Sequence, residues 1–197
     1  MTLECAFENV RTPNPLVGID LIVSNLNNAI SSCGALSFLT YNFPRAERKR
    51  TLDAENISAS YKPQIYLKSK EWFNLLPDDT VNAFSFFYTN APKTNFSDDK
   101  INWTQTINLV VYANLNLIDP TEDSIFKENL IQQVQQIIID NQFYDIINGI
   151  VNIYDDFDST WADFDIINED YARFIKGNTT TFRIEFDVRG TSYTCLC

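Results

Sequence analysis

Acidic residues crowd one short stretch of this chain: Asp155, Asp156, Asp158, Asp163, Asp165, Glu169 and Asp170. Such a run could hold a cation or do acid–base work. The spacing Asp156, Asp158, Thr160 imitates the start of a calcium loop, but the turn glycine and the closing glutamate are missing at their offsets. Paired catalytic carboxylates need a pocket, and nothing in the neighbouring sequence builds one. The stretch reads better as an acidic face with Phe157, Trp161, Phe164 and Ile166 turned inward. Histidine is absent, which removes the commonest general base and the commonest metal ligand together. Cys5, Cys33, Cys195 and Cys197 form no Cys-x-x-Cys pair, so a structural zinc site has no support. Cys33 falls at a presumed helix end, the wrong end for lowering a thiol pKa. The reading is of a protein that is not an enzyme, with no metal and no cofactor.

Opposite in sign is the run Arg45, Arg48, Lys49 and Arg50, the only dense positive charge in a chain of net charge −11. Three readings stay open for it: a solvated loop, an ion-paired contact with an acidic neighbour such as another copy, and a contact with phosphates. The aromatic interleaving of a nucleic-acid grip is absent. The hypothesis taken forward is an inter-subunit contact. In it, Arg45, Arg48, Lys49 and Arg50 of one copy meet Asp155, Asp156, Asp158, Asp163 and Asp165 of the next. Such complementarity sets register more than affinity.

The elements that position these runs are legible from periodicity. Ile107, Leu109, Val111, Ala113, Leu115 and Leu117 alternate with Thr106, Asn108, Tyr112, Asn114 and Asn116, with Val110 the one apolar exception. This predicts a long strand with one buried face. Phe126, Leu130, Val134, Ile137 and Ile138 then recur at helical spacing, after Asp119 as cap, Pro120 in the first turn and Glu122 as capping-box partner. An earlier helix is predicted from Asn14 and Pro15, with the stripe Leu16, Ile19, Ile22, Val23, Leu26 and Ile30. Gly18 is its weak spot and Gly34 its end. Residues 35–43 read as a strand or arm, 51–59 as loop, and 61–67 as an edge strand because of Pro63. Residues 69–76 read as a short helix with Trp72, Phe73 and Leu76 inward. The stretch 81–88 reads as a strand antiparallel to 104–118, with 91–101 as a polar connection. Gly149 suggests a turn into a strand at 150–154. Thr180 to Val188 alternates cleanly, predicting one packed and one wet face, and Arg189-Gly190 should break it.

The expected fold is therefore α+β: a small, mainly antiparallel sheet flanked by helices, with a long projecting hairpin or arm. Its 197 residues, 45% hydrophobic, suit a single domain over 1–190, with an insertion or arm at 35–75 and a tail at 191–197. The acidic balance argues against a nucleic-acid-binding surface over most of the molecule. No apolar run reaches membrane-spanning length, and the start MTLECAFENV lacks a signal-peptide pattern. A cytoplasmic protein, or one assembled in a cytoplasm, is expected.

The order of elements, the stretch KPQIYLKSKEWFNLLPDDTVNAFSFFYTN and the closing FRIEFDV resemble the neck-ring and tail-terminator proteins of tailed bacteriophages. The Asn- and Ile-heavy texture is similar to that of crAss-like phages of Bacteroidetes hosts. The resemblance spans Pro15 to Val188 and rests on element order and composition, with no diagnostic motif. It implies a structural virion protein: a head–tail connector whose copies close into a ring in the neck between portal and tail. The ring would be twelvefold by preference, or sixfold. It implies contacts with adjoining portal, neck or tail proteins, and DNA passing through without sequence-specific binding. It places the protein in the virion, assembled in the host cytoplasm, with no membrane. The alternatives are a tail-terminator ring capping the tail tube and a non-viral protein-binding adaptor.

Overall fold

A computed structural model of the chain describes residues 2–11, 18–52, 59–77, 80–89, 93–97, 100–118, 124–141, 147–166 and 178–193. The expected caps Asn14, Pro15, Asp119, Pro120 and Glu122 lie outside these residues. So do Glu169, Asp170, Cys195 and Cys197.

The central layer is a six-stranded sheet in the order β1 (Tyr41–Phe43), β5 (Ala83–Thr89), β7 (Lys100–Asn114), β9 (Thr179–Tyr193), β8 (Ile147–Tyr154), with β6 (Lys93–Ser97) also paired to β7. All pairings are antiparallel except β1 with β5. The expected antiparallel pairing is present, β5 lying against 107–113 of β7. The stretch expected as a polar connection, 91–101, instead contains strand β6 and the start of β7, which pair with each other. Helices α2 (Ile19–Ser32) and α4 (Ser124–Asp140) cover one face. Val23, Leu26 and Ile30 from α2 and Leu130, Val134 and Ile138 from α4 are buried against Phe87, Leu109, Val111, Ile184 and Phe186. Burying such side chains contributes roughly 1.5–3 kcal/mol each. Ile137 is only partly buried, at the margin of the helical stripe.

The face expected to be wet is buried as well. Asn108 and Tyr112 are each 1% exposed. The reason is a second cover that periodicity in one strand does not report. A three-stranded sheet, β2 (Glu47–Leu52), β3 (Ala59–Tyr66) and β4 (Trp72–Asn74), packs there with α1 (Leu3–Glu8) and the segment 157–166. Ile65, Leu67, Leu75, Leu3 and Ala6 meet Phe84, Phe86, Tyr88 and Val110 in this second core. The molecule is thus helices on sheet on a smaller sheet, an α+β layering.

Several local expectations are corrected. The basic run lies largely in strand β2, because its backbone pairs in register with β3 from Glu47 to Leu52. β3 is the middle strand of its sheet, and Pro63 is tolerated because the β4 ladder ends beside it. Leu75 N–H donates to Pro63 C=O, and proline has no N–H to return the bond. Residues 72–74 form a strand, reached through a turn with Lys70 at φ 68°. Trp72 is 40% exposed and stacks on Tyr66. Only 41–43 of the expected arm is strand, and a 3-10 turn at Gly34–Leu36 precedes it. Helix α2 starts at Ile19, with Gly18 as its N-cap at φ 55°. It ends at an extended Cys33, without a left-handed glycine. Leu115 and Leu117 leave the strand for a short helix, α3 (Leu115–Ile118). Gly149 sits within β8 at φ 113°, where the register with β9 shifts, so it makes a bulge and not a turn. The last strand runs on through Gly190 to Tyr193.

Candidate functional site

Among the described residues the basic and acidic runs touch at one point within the chain, where Arg48 reaches the main-chain carbonyl of Asp163. Asp156 caps the short helix α5 (Phe157–Thr160), accepting the Ser159 N–H at 2.8 Å. That hydrogen bond holds the Asp156 carboxyl below its ordinary pKa. Thr160 Oγ1 donates to the Tyr154 carbonyl at 3.4 Å. The residues that imitate a calcium loop therefore build a helix start. Among the described residues, no group of three or more carboxylates or cysteines is gathered so that it could hold a metal ion.

Beyond α5 the chain lies across both sheets. Trp161 and Phe164 are buried against Phe86 and Tyr88, with ring centroids 5.8 Å (Phe86–Trp161) and 5.0 Å (Tyr88–Phe164) apart. These inward aromatics, with Phe157 and Ile166 partly buried beside them, are where the sequence places them. Their burial aims the carboxylate of Asp163 at β9 and β5. Arg183 Nη1 donates to Asp163 Oδ2 at 2.8 Å, and Tyr88 Oη donates to the same oxygen at 2.6 Å. Arg183 Nη1 also donates to Tyr88 Oη at 2.8 Å. The Arg183 guanidinium lies 4.2 Å from the centroid of the Tyr154 ring, and Tyr154 Oη donates to Glu185 at 3.1 Å.

The electrostatics follow from burial. Arg183 is 6% exposed. Burial pulls its pKa down, but Tyr88, Asp163 and Tyr154 more than offset this and leave it raised. Burial and the hydrogen bond to Asp163 push the Tyr88 phenol far above its ordinary value, so it stays a proton donor. A charged guanidinium, a phenol that keeps its proton and a carboxylate accepting from both form a polar clamp.

The same segment also grips the small sheet. Asp165 N–H donates to the Tyr61 carbonyl, and Tyr61 N–H donates back to Asp165 Oδ2, both at 2.7 Å. Arg48 Nε donates to the Asp163 carbonyl at 2.6 Å, with its guanidinium 3.9 Å from the Tyr61 ring centroid. Of the nine charged residues singled out from the sequence, Arg48, Asp163 and Asp165 come together here. The others lie apart. Arg45 pairs with Asp20 of α2. Lys49 pairs with Glu47 at 3.0 Å and lies over Trp72. Asp155 pairs with Lys127 of α4 at 3.7 Å. Asp158 and Arg50 are exposed.

Sequence reasoning missed Arg183, Tyr88, Tyr61 and Tyr154. Arg183 left a signal: a lone cation between Phe182 and Ile184 in a strand expected to have a wet face. The tyrosines left none, because their partners are distant in sequence. No protein-family model matches the chain, and no curated protein matches it either.

Proposed function

We propose that the protein is a structural subunit that assembles with copies of itself into a closed ring. In line with the resemblance, that ring belongs in the neck of a tailed phage, between portal and tail. The observation that supports this most is the length of β7 and β9. Each runs for 15 residues, and they pair along their whole length. Their neighbours stop short: β5 covers 107–113 of β7, and β8 covers 183–188 of β9. The remaining ends, joined by β6 against 100–104, make a three-stranded extension. We take this extension as the projecting hairpin. Among the described residues no strand pairs the outer side of β6 or of 189–193. Such an edge suits addition to a neighbour's sheet, where main-chain bonds carry the contact.

A head-to-tail contact of this kind closes when its rotation closes, twelvefold by preference or sixfold. In this reading the protein has no catalytic step and no cofactor. It resides in the virion after assembly in the host cytoplasm. DNA passes its net-negative body without sequence-specific binding, since like charge prevents sticking. The test is mass photometry and negative-stain electron microscopy of the purified full chain. Closed rings are expected. A monomer that persists at the highest soluble concentration overturns the reading.

One observation favours a free protein-binding adaptor as the second reading. Arg45, Arg48, Lys49, Asp155, Asp163 and Asp165 all have partners inside one chain. The charge runs therefore need no neighbour to be satisfied. A persistent monomer that still binds another protein would support the adaptor.

A further inference from the structure

The small sheet has an edge whose chemistry selects its partner. Strand β2 is at the rim, in the order β2-β3-β4, and its register with β3 is unbroken from Glu47 to Leu52. The direction of its backbone groups follows from the bonds on the far side of β3. Tyr61 turns its N–H and C=O to Asp165, and Pro63 turns its C=O to Leu75 N–H. Both residues therefore point away from β2. Their register partners, Arg50 and Arg48, are the non-hydrogen-bonded pairs of this ladder, so they turn their own N–H and C=O outward. The edge thus offers main-chain donors and acceptors at Arg48 and Arg50, whose side chains share one face, with Lys49 on the other.

Charge then narrows the choice of strand. Pairing of two copies of β2 is disfavoured, because each strand carries a net positive charge and, in the register centred on Lys49, Arg48 meets Arg50 and Lys49 meets its like. The rim strands β1, β4, β6 and β8, and residues 189–193 of β9, contain no Asp or Glu. A second copy therefore offers no complementary described edge. Among the described residues no strand pairs the outer side of β2 from Glu47 to Leu52, although Ala46 N–H, just before it, donates to Phe87 C=O. We propose that the edge at Arg48 and Arg50 accepts an extended, carboxylate-bearing segment of a different protein as an added strand. A carboxylate of the added strand faces Arg50, which is exposed, while Arg48 contributes its main-chain groups, since its guanidinium lies over Tyr61 and donates to the Asp163 carbonyl. This contact goes beyond ring closure and can be tested whether or not the ring forms.

The probe is a short synthetic peptide alternating glutamate with valine, added to the full chain. Binding is followed by calorimetry and by amide exchange resolved at single residues. The expected result is binding that protects the amides of Arg48 and Arg50. Substituting Arg50→Glu, at an exposed position outside the clamp, weakens binding by about tenfold. An N-methylated version of the peptide, with the same charge but no donors, does not bind. Three results would overturn the proposal: no binding at millimolar peptide, binding without protection of these amides, or equal binding of the N-methylated peptide, which marks simple counterion attraction. A loss of duplex DNA binding in Arg50→Glu, with peptide binding unchanged, would instead assign the edge to phosphates and overturn it too. Circular dichroism of Arg50→Glu checks that the fold is intact.

Discussion

The indole of Trp103 lies directly across Gly190, its register partner on β9. A Cβ at position 190 would run into the Trp103 ring. Glycine is thus present for the close approach of an aromatic from the neighbouring strand, at the base of the three-stranded extension. Gly190→Ala is expected to lower stability in urea by about 1–3 kcal/mol, because a packed ring must shift. In the Trp103→Ala background the same substitution should be nearly neutral. Equal losses in both backgrounds would show that the ring is not the obstacle.

The clamp predicts an asymmetric response at Asp163. Asp163→Asn keeps the shape but leaves the Arg183 charge buried without its counter-charge. Asp163 is half-exposed, so the loss should be about 1–3 kcal/mol, below that of a fully buried pair. Replacing Arg183 by Met together with Asp163→Asn should recover much of it, since no buried charge then remains. Denaturant midpoints of the two single variants and the double variant test this as a cycle.

Tyr88 sets the alkaline limit. Its folded pKa is raised above the ordinary 10.0, by burial first and then by Asp163. The folded state therefore holds the phenol proton more tightly than the unfolded chain. This contribution is whole below the unfolded value and is lost as pH rises past it. Thermal midpoints of the native protein should fall on the alkaline side, and Tyr88→Phe should flatten that fall. An identical alkaline profile would show that Tyr88 does not carry the linkage.

The helix-on-sheet face predicts an ordering along α4. Ile138 is fully buried and Ile137 only partly so. Ile138→Ala should cost about 2–5 kcal/mol and Ile137→Ala clearly less. The reverse ordering, read from urea unfolding, would rotate the helix relative to this packing.

Some of this was legible in the sequence, for physical reasons. The central strand, the α4 stripe and the strand ending at Val188 repeat a period over enough residues to declare themselves. The inward turn of Trp161 and Phe164 followed from aromatics among carboxylates. Of the small sheet only the middle strand showed, at 61–67, and it was read as an edge. ERKRTL has no apolar alternation, and Trp72, Phe73 and Leu76 imitate helical spacing. The burial of Asn108 and Tyr112 was hidden too, because what covers them comes from sequence more than 30 residues away on either side. The clamp is likewise non-local: Tyr88 and Asp163 are 75 positions apart, and Asp163 and Arg183 are 20 apart.

In the proposed ring the extension of β6, β7 and β9 carries the contact between copies. The direct measurement is hydrogen exchange on the full chain, dilute and then concentrated or assembled. Peptides covering 93–104 and 189–193 should gain protection on assembly, while those covering 107–113 and 182–188 stay as slow as before. Assembly that leaves 93–104 and 189–193 unprotected, with new protection elsewhere, would contradict the account.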